Sequence, residues 1–209
     1  MRKLFLCICL LGFAVPVNAY EGDVLFETNF GDIVIDLYPE QAPITVDNFT
    51  GYVEDGFYNG LVFHRVIEDF MIQAGAYDSD LDFHPPTSDP IVNESNNGLS
   101  NVRGTIAMAR QSAPDTATSQ FFINHVDNLY LDYHYNNNPG NYGYCVFGEV
   151  VAGMDVVDAI AQVPTHSTNG LDDVPAEPVI IESATVIPEP ATILLLGLGG
   201  MVFAGKRRR

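Results

Sequence analysis

The stretch YNGLVFHRVIEDFMIQAG, residues 58–75, decides how the rest of this chain is interpreted. Apolar and β-branched side chains dominate it, which predicts two short strands, over residues 61–66 and 70–73. A permanent cation, Arg65, and an amide, Gln73, stand among these apolar side chains. Because successive side chains of a strand point to opposite faces, we expect His64 on the face opposite Arg65 and interpret it as structural.

On both sides of this stretch the chain alternates short apolar runs with polar turns. Two helices are expected, over 45–54 and 154–161, because apolar residues recur there at helical spacing. Long loops are expected over 77–101 and 133–142. The remaining strands are expected over 24–28, 33–37, 105–109, 120–124, 145–150 and 179–187. This pattern predicts a mainly β fold, a closed eight-stranded antiparallel β-barrel capped by two α-helices.

The first nineteen residues have the pattern of a signal peptide. Arg2 and Lys3 precede an apolar run over 4–15, and Val17-Asn18-Ala19 ends in a small side chain. The run is shorter than the roughly 20 apolar residues that span a bilayer, which disfavours a membrane anchor as the alternative. We therefore expect signal peptidase to cleave after residue 19 and the mature chain to be exported.

The other end carries a second targeting pattern. Pro188-Glu189-Pro190 is followed by an apolar segment over 191–204 and by four cations over 206–209. This arrangement resembles the PEP-CTERM sorting signal of Gram-negative bacteria, which implies processing by an exosortase-like enzyme. The four cations are expected to stay cytoplasmic, with the domain on the outer side of the inner membrane. The alternative is a short transmembrane tail anchor, and the expected location is periplasm, outer surface or extracellular matrix.

Charge separates the ends of the chain from its body, residues 20–187. The body contains three of the nine Lys and Arg residues: Arg65, Arg103 and Arg110. It contains 26 of the 27 Asp and Glu residues. The body therefore carries a formal charge of about −23, which repels phosphate backbones and anionic lipid headgroups. Nucleic-acid binding is excluded as a function on this ground.

Two further features of the body, its cysteine and an acidic stretch, could carry chemistry. Cys145 is the body's single cysteine, so it has no intrachain disulfide partner and is expected to be an inert buried thiol. Alternating carboxylates in the acidic stretch over 78–89 raise the alternative of a calcium loop. Phe83 takes the position at which such a loop requires Gly, and Pro85-Pro86 interrupts it, so we favour a solvated acidic loop and predict no metal site. The residues considered as calcium ligands are Asp78, Asp80, Asp82, His84 and Asp89.

Three motifs together point to one family. The stretch FHRVIEDFMIQAG over 63–75 is followed by GTIAMAR over 104–110 with SQFFIN over 119–124, and by YCVFGEVVAGM over 144–154. In this order they resemble the cyclophilin family, most closely its bacterial periplasmic members. The resemblance covers nearly all of residues 20–187. It implies a single peptidyl-prolyl cis-trans isomerase domain that is monomeric and needs no cofactor.

The resemblance also implies the site. Arg65 and Gln73 are the predicted catalytic residues, with Arg65 donating to the prolyl nitrogen of a twisted amide and Gln73 holding both Arg65 and the substrate carbonyl. Proline-containing peptides or unfolded exported proteins are the expected partners. The predicted substrate-binding residues are Phe70, Met71, Ala109, Arg110, Gln120, Phe122, Tyr130, Leu131 and Tyr144.

Two of these positions depart from many eukaryotic members of the family. Tyr130 stands where those members often have Trp, and Tyr144 where they often have His. We expect isomerisation to survive both changes. The resemblance does not extend to tight binding of cyclosporin-type inhibitors, because these two positions differ. Two alternatives to an isomerase remain: a non-catalytic module or chaperone that binds proline peptides, and a structural protein of the cell surface or matrix.

Overall fold

The structure, a computed structural model, describes residues 22–138 and 140–188. The predicted signal peptide and nearly all of the sorting segment lie outside these residues. In chain order the elements are β1 Gly22–Thr28, β2 Gly31–Leu37, α1 Pro43–Glu54, β3 Arg65–Ile67, β4 Met71–Ala74, β5 Thr105–Met108, β6 Phe121–Asn124, β7 Val146–Ala152, α2 Met154–Ala161, β8 Thr165–Thr168, β9 Leu171–Pro175 and β10 Ile181–Pro188. The mainly β prediction with two helices is confirmed.

Eight of the strands form one antiparallel sheet in the order β10-β1-β2-β7-β5-β6-β4-β3. The predicted closed barrel is wrong, because β10 and β3 are the two edges of an open, curled sheet. The segments that precede these edge strands touch at one isolated bridge, Val62 with Ile180. Beyond that bridge β3 is only three residues long, and β9 packs against it, so no ladder with β10 develops.

The core on one side of the sheet is built from aromatic side chains. Phe26 and Phe121 stack with ring centroids 5.3 Å apart, and Phe49 approaches Phe147 to 4.9 Å. Tyr58 is fully buried among them, and its hydroxyl donates to the Ser119 carbonyl oxygen at 2.8 Å. Each such ring removes about 150–250 Å² from water, so burial of this cluster stabilises the sheet.

Helix α1 covers the core through Val46, Phe49 and Val53, as its spacing predicted. It begins at Pro43, two residues before the predicted start. The Glu94 carboxylate accepts hydrogen bonds from the backbone N–H groups of Ile44 and Thr45, at 3.2 and 2.7 Å. A distant acidic side chain therefore caps the first turn, where unpaired N–H groups and the helix dipole favour a negative charge.

Strand β6 separates the core from a second, smaller apolar cluster. All four of its residues are buried, because Phe121 packs into the core while Phe122 points to the opposite face. There Phe122 joins Met71, Ala107 and Val146. Gly75 lets β4 leave this region, since its φ is +97° and a Cβ would lie 2.6 Å from the Ser119 carbonyl oxygen.

Candidate active site

A row of directly paired residues crosses four strands on the face away from the aromatic core. Arg65 of β3 pairs with Gln73 of β4, Gln73 pairs with Phe122 of β6, and Phe122 pairs with Ala107 of β5. Directly opposite residues of antiparallel strands share a face of the sheet. The strand register therefore brings a cation, an amide and an aromatic ring side by side.

An open cleft of about 170 Å³ lies over this row and holds most of the predicted site. We call it the apolar cleft. Of the residues predicted for the site, Gln120 and Tyr130 alone do not line it. Both adjoin it, because Gln120 accepts a hydrogen bond from Gln73 and the Tyr130 ring lies 6.1 Å from that of Phe70. The cleft is lined by Arg65, Phe70, Met71, Gln73, Ala109, Arg110, Phe122, Leu131 and Tyr144.

The floor and one wall of the apolar cleft are rigid. Met71 and Phe122 are almost completely buried. The Tyr144 ring meets Phe122 edge-on at 5.7 Å, and the Arg110 guanidinium lies 4.5 Å above the Tyr144 ring. Such a slot suits a small, flat, saturated ring, because fixed aromatic walls lose little conformational entropy when they are covered.

The two arginines of the apolar cleft use their donors differently. Arg110 donates from Nε to the Gly143 carbonyl oxygen and from a terminal nitrogen to that of Gln111, both at 2.8 Å. The Arg65 side chain is 40 % exposed and, among the described residues, makes one ion pair: its Nε lies 3.6 Å from Asp173 Oδ2. Arg110 is thus held by backbone carbonyls, whereas the Arg65 guanidinium makes no hydrogen bond within the described residues.

Gln73 differs in one contact from the prediction. Its amide nitrogen donates to Gln120 Oε1 at 2.9 Å, and no hydrogen bond joins it to Arg65 in the described part of the chain. The neighbour of the Arg65 guanidinium is Asp173, which was not among the predicted site residues. Asn169-Gly170, a strong hairpin signal, could have pointed to the β8–β9 hairpin that carries Asp173.

His64 is buried beside Arg65, with its ring 4.9 Å from that of Tyr77. Burial lowers the pKa of His64 from 6.5 to about 4, and the neighbouring Arg65 charge adds to this effect. Its Nδ1 has no hydrogen-bond partner in the described structure. A histidine that stays neutral near pH 7 fits the structural role predicted for it.

In the acidic loop over 78–89, the Asp78 carboxylate is bonded to other residues of the same loop. Asp78 Oδ1 accepts from the backbone N–H groups of Asp80 and Asp82, both at 3.0 Å, and Oδ2 lies 3.1 Å from His84 Nε2. These bonds lower the pKa of Asp78. Across the described residues, no group of three or more His, Cys, Asp or Glu side chains is arranged to hold a metal ion.

Cys145 is buried, as predicted for an inert thiol. Burial raises the pKa of its thiol to about 11. The thiol group is therefore protonated at neutral pH, and protonated thiols are poor nucleophiles.

Comparison with known proteins agrees with this geometry. The family model for the cyclophilin type peptidyl-prolyl cis-trans isomerase matches residues 23–186. The chain is 55 % identical over 163 residues to peptidyl-prolyl cis-trans isomerase B of Escherichia coli, covering 78 % of this chain and 98 % of that protein. It is 48 % identical over 180 residues to the peptidyl-prolyl cis-trans isomerase of Acinetobacter baylyi, covering 86 % and 93 %. The chain therefore belongs to the cyclophilin-type peptidyl-prolyl cis-trans isomerases.

Solved structures support the same fold. A cyclophilin-type isomerase of Cryptosporidium parvum matches with a TM-score of 0.65 at 24 % identity, covering 81 % of this chain and 99 % of that one. A cyclophilin of Hirschia baltica matches with the same TM-score at 22 % identity, covering 82 % and 77 %. At this level of identity the likeness is one of fold alone.

The C-terminal region matches a second model, the PEP-CTERM protein-sorting motif, over residues 186–209. This match confirms the sorting signal predicted from the sequence and indicates export in a Gram-negative bacterium. Within the described residues, no helix has the length and apolar character needed to cross a membrane. The apolar segment of the sorting signal, 191–204, for which a tail anchor was the alternative, lies outside those residues.

Proposed function

We propose that the apolar cleft isomerises Xaa-Pro bonds of exported proteins, with Arg65 as the donor that stabilises the twisted amide. Family membership and relatives at 48–55 % identity support the isomerase activity. One observation carries the role of Arg65. Two cations line the apolar cleft, and Arg65 is the one whose guanidinium makes no hydrogen bond within the described structure, whereas Arg110 bonds backbone carbonyls.

The chemistry needs no nucleophile. A peptide bond resists rotation with a barrier of ~18–20 kcal/mol, because its C–N bond has partial double-bond character. Halfway through rotation this character is lost, and the prolyl nitrogen becomes pyramidal and basic. A fixed guanidinium that donates to that nitrogen binds the twisted amide more tightly than either planar form. Only such differential binding lowers the barrier.

The apolar walls supply orientation. In the proposed complex the pyrrolidine ring enters between Phe122, Met71 and Leu131, with Phe70 at the rim beside Arg65. The Arg65 guanidinium carbon lies 6.0 Å from the Phe70 ring centroid, so cation and apolar wall face the same space. The walls hold the pyrrolidine ring in place while the amide twists. The binding energy of the ring therefore keeps the prolyl nitrogen oriented toward Arg65.

Polar groups at the other side of the cleft would hold the peptide backbone. The Gln73 amide nitrogen uses one N–H on Gln120, which fixes the amide plane and leaves its second N–H for a substrate carbonyl. Ala109 and Arg110 follow β5 and line the same cleft, where they would contact residues before the proline. Tyr130, stacked on Phe70 and half exposed, would cover the ring from outside.

The proposed setting is the cell envelope or beyond. The PEP-CTERM match supports export and processing by an exosortase-like enzyme. In this setting the proposed substrates are unfolded exported proteins, and the proposed maturation begins with signal-peptidase cleavage after residue 19. We propose that the tail anchors the chain transiently in the inner membrane, with the domain outside, until it is processed. Protease shaving of cells tests whether the tail directs the domain to the cell surface. A variant that lacks residues 188–209 is the control, and loss of surface exposure is expected in that variant alone.

The activity and the role of Arg65 are tested together by exchange NMR on an Xaa-Pro peptide, which needs no coupled protease. We expect Arg65→Ala to lower turnover by about 10²–10³-fold, the usual effect of removing a transition-state donor. Peptide binding and the unfolding midpoint should change little. Undiminished turnover in the variant would refute the mechanism, and a wild-type chain that binds without turnover would instead be a binding module.

A further inference from the structure

The hairpin β8–β9 brings a residue to the catalytic region from a distant part of the chain. Its turn is Asn169-Gly170, with φ values of +52° and +78°. Two consecutive positive φ values are typical of a tight type I′ turn, which holds the two strands in a fixed twist. Strand β9 of this hairpin packs against β3, the strand on which Arg65 lies.

A β-bulge in this hairpin separates two neighbouring aspartates. His166 pairs with Val174 and Thr168 with Leu171, so Asp172 and Asp173 together oppose the single residue Ser167. Asp172 Oδ1 accepts a hydrogen bond from the Ser167 hydroxyl at 2.6 Å. Asp173 adopts φ +59°, a conformation that costs free energy for a residue other than Gly. Bulges beside active sites commonly re-aim one side chain, and here that side chain is Asp173.

The re-aimed carboxylate meets the cation of the apolar cleft. Asp173 Oδ2 lies 3.6 Å from Arg65 Nε, and the two side chains are 39 % and 40 % exposed. At this distance the attraction is between charges, because it exceeds hydrogen-bond length. A second cleft of about 390 Å³ opens on this side, and it shares Arg65 and Gln73 with the apolar cleft.

We propose that Asp173 is a positioning residue for Arg65. The Asp173 carboxylate attracts the Nε side of the Arg65 guanidinium. The four N–H groups on the two terminal nitrogens are therefore free to face the apolar cleft. The inference rests on the proposed role of Arg65. A half-exposed ion pair contributes little to overall stability, so the effect is on the orientation of the guanidinium. In this proposal the bulge and the positive φ of Asp173 serve to place this carboxylate.

The test compares two charge-neutralising variants of the full chain, Asp173→Asn and Asp172→Asn. Asn tolerates the positive φ at position 173, and each variant removes one negative charge from the same hairpin. We expect Asp173→Asn to lower kcat by about three- to fivefold, the rate equivalent of a typical exposed ion pair, with KM within about twofold. Asp172→Asn should leave both constants within about twofold, and both unfolding midpoints should stay within about 2–4 °C of wild type.

A second measurement separates this inference from the proposed function. The Nε–H resonance of Arg65, assigned by its loss in Arg65→Lys, should shift in Asp173→Asn and stay in place in Asp172→Asn. Equal effects of the two variants on kcat, or an unmoved resonance, would overturn the positioning role even if the wild-type chain is an active isomerase. Absence of turnover in the wild type, with the resonance shift present, would count against the proposed function alone.

Discussion

Two histidine–arginine pairs lie at different places in this molecule and are used in different ways. His125 and Arg103, the anchor pair, lie where the loop after β6 meets helix α2. His64 and Arg65, the cleft pair, lie at the edge strand β3. Two of the three cations of the body therefore have a histidine beside them, but their surroundings differ.

The anchor pair is engaged on several sides. Arg103 donates to Asp158 Oδ2 at 2.9 Å and to the His125 carbonyl oxygen at 2.6 Å. His125 Nδ1 accepts from the Asp69 backbone N–H at 3.1 Å, and its Nε2 lies 3.3 Å from Asp158 Oδ1. The hydrogen bond from Arg103 is the main reason that the pKa of Asp158 is lowered. These bonds join α2 to the turn that precedes Phe70.

Most hydrogen-bonding groups of the cleft pair have no partner within the described residues. Arg65 has one ion pair, at 3.6 Å, and His64 Nδ1 has no partner among the described residues. Buried polar groups in native proteins are nearly always hydrogen-bonded, so an unused one needs an explanation. That rule concerns His64 Nδ1, because Arg65 is 40 % exposed and water can bond its unused donors. These donors of Arg65 stay available to a substrate, whereas donors already bonded to the protein do not.

The largest effect expected from this difference is on activity. Arg65→Lys keeps the positive charge but replaces the planar fork by a flexible ammonium, so kcat/KM should fall by about 10²-fold or more. Arg103→Lys, the matched variant, should leave kcat/KM within about twofold, because Arg103 does not line the apolar cleft. Steady-state kinetics on both variants measure the contrast. Comparable losses in the two would show that the pairs do not differ in function.

The next effect is on stability in acid, and it belongs to His64. The unfolded chain protonates this histidine below pH 6.5, and the folded chain only below about 4. Between these values the unfolded state binds more protons, so the free energy of unfolding falls as pH drops through this window. The full loss amounts to at most about 3 kcal/mol.

Urea unfolding at pH 7 and pH 4.5 measures this loss. His64→Gln should reduce the difference between the two pH values, because the group that titrates is gone. His166→Gln, at an exposed position of β8, is the matched control and should keep the wild-type difference. The same pH dependence in all three chains would contradict the lowered pKa of His64.

A smaller effect is expected for the anchor pair. Asp158→Asn removes the charge that Arg103 and His125 share, and the free energy of unfolding should fall by up to about 1 kcal/mol, since these side chains are partly exposed to solvent. The pKa of Asp158 is lowered, so in the wild type this contribution is present at neutral pH and is lost as pH falls below the ordinary Asp range. Denaturant unfolding measures it, and unchanged kcat is the accompanying expectation.

The comparison also shows which features the sequence predicted. Arg65 and Gln73 were predicted because one ungapped motif, over 63–75, carries them. The rest of the apolar cleft was predicted from that motif, two further motifs and the family resemblance, and β1, β2 and α2 from local periodicity. Asp173 was missed, since it reaches Arg65 from more than a hundred residues along the chain through a bulge that no local pattern marks. The capping of α1 by Glu94 was missed for the same reason. The open sheet edge depends on how β9 packs against β3, which periodicity alone does not specify.

The smallest effect concerns substrate charge and extends the comparison from single pairs to the whole surface. Two of the three body cations, Arg65 and Arg110, line the apolar cleft, whereas 26 carboxylates are spread over the body. A peptide whose charges lie several residues from its proline therefore meets a mainly negative field.

At low ionic strength we expect kcat/KM to be about threefold higher for peptides with distant Lys residues than for those with distant Glu residues. At 1 M salt, where the screening length is about 3 Å, the preference should vanish. A preference that persists in high salt would place its origin in direct contacts, and a preference for Glu would show that the two cleft arginines outweigh the surrounding carboxylates.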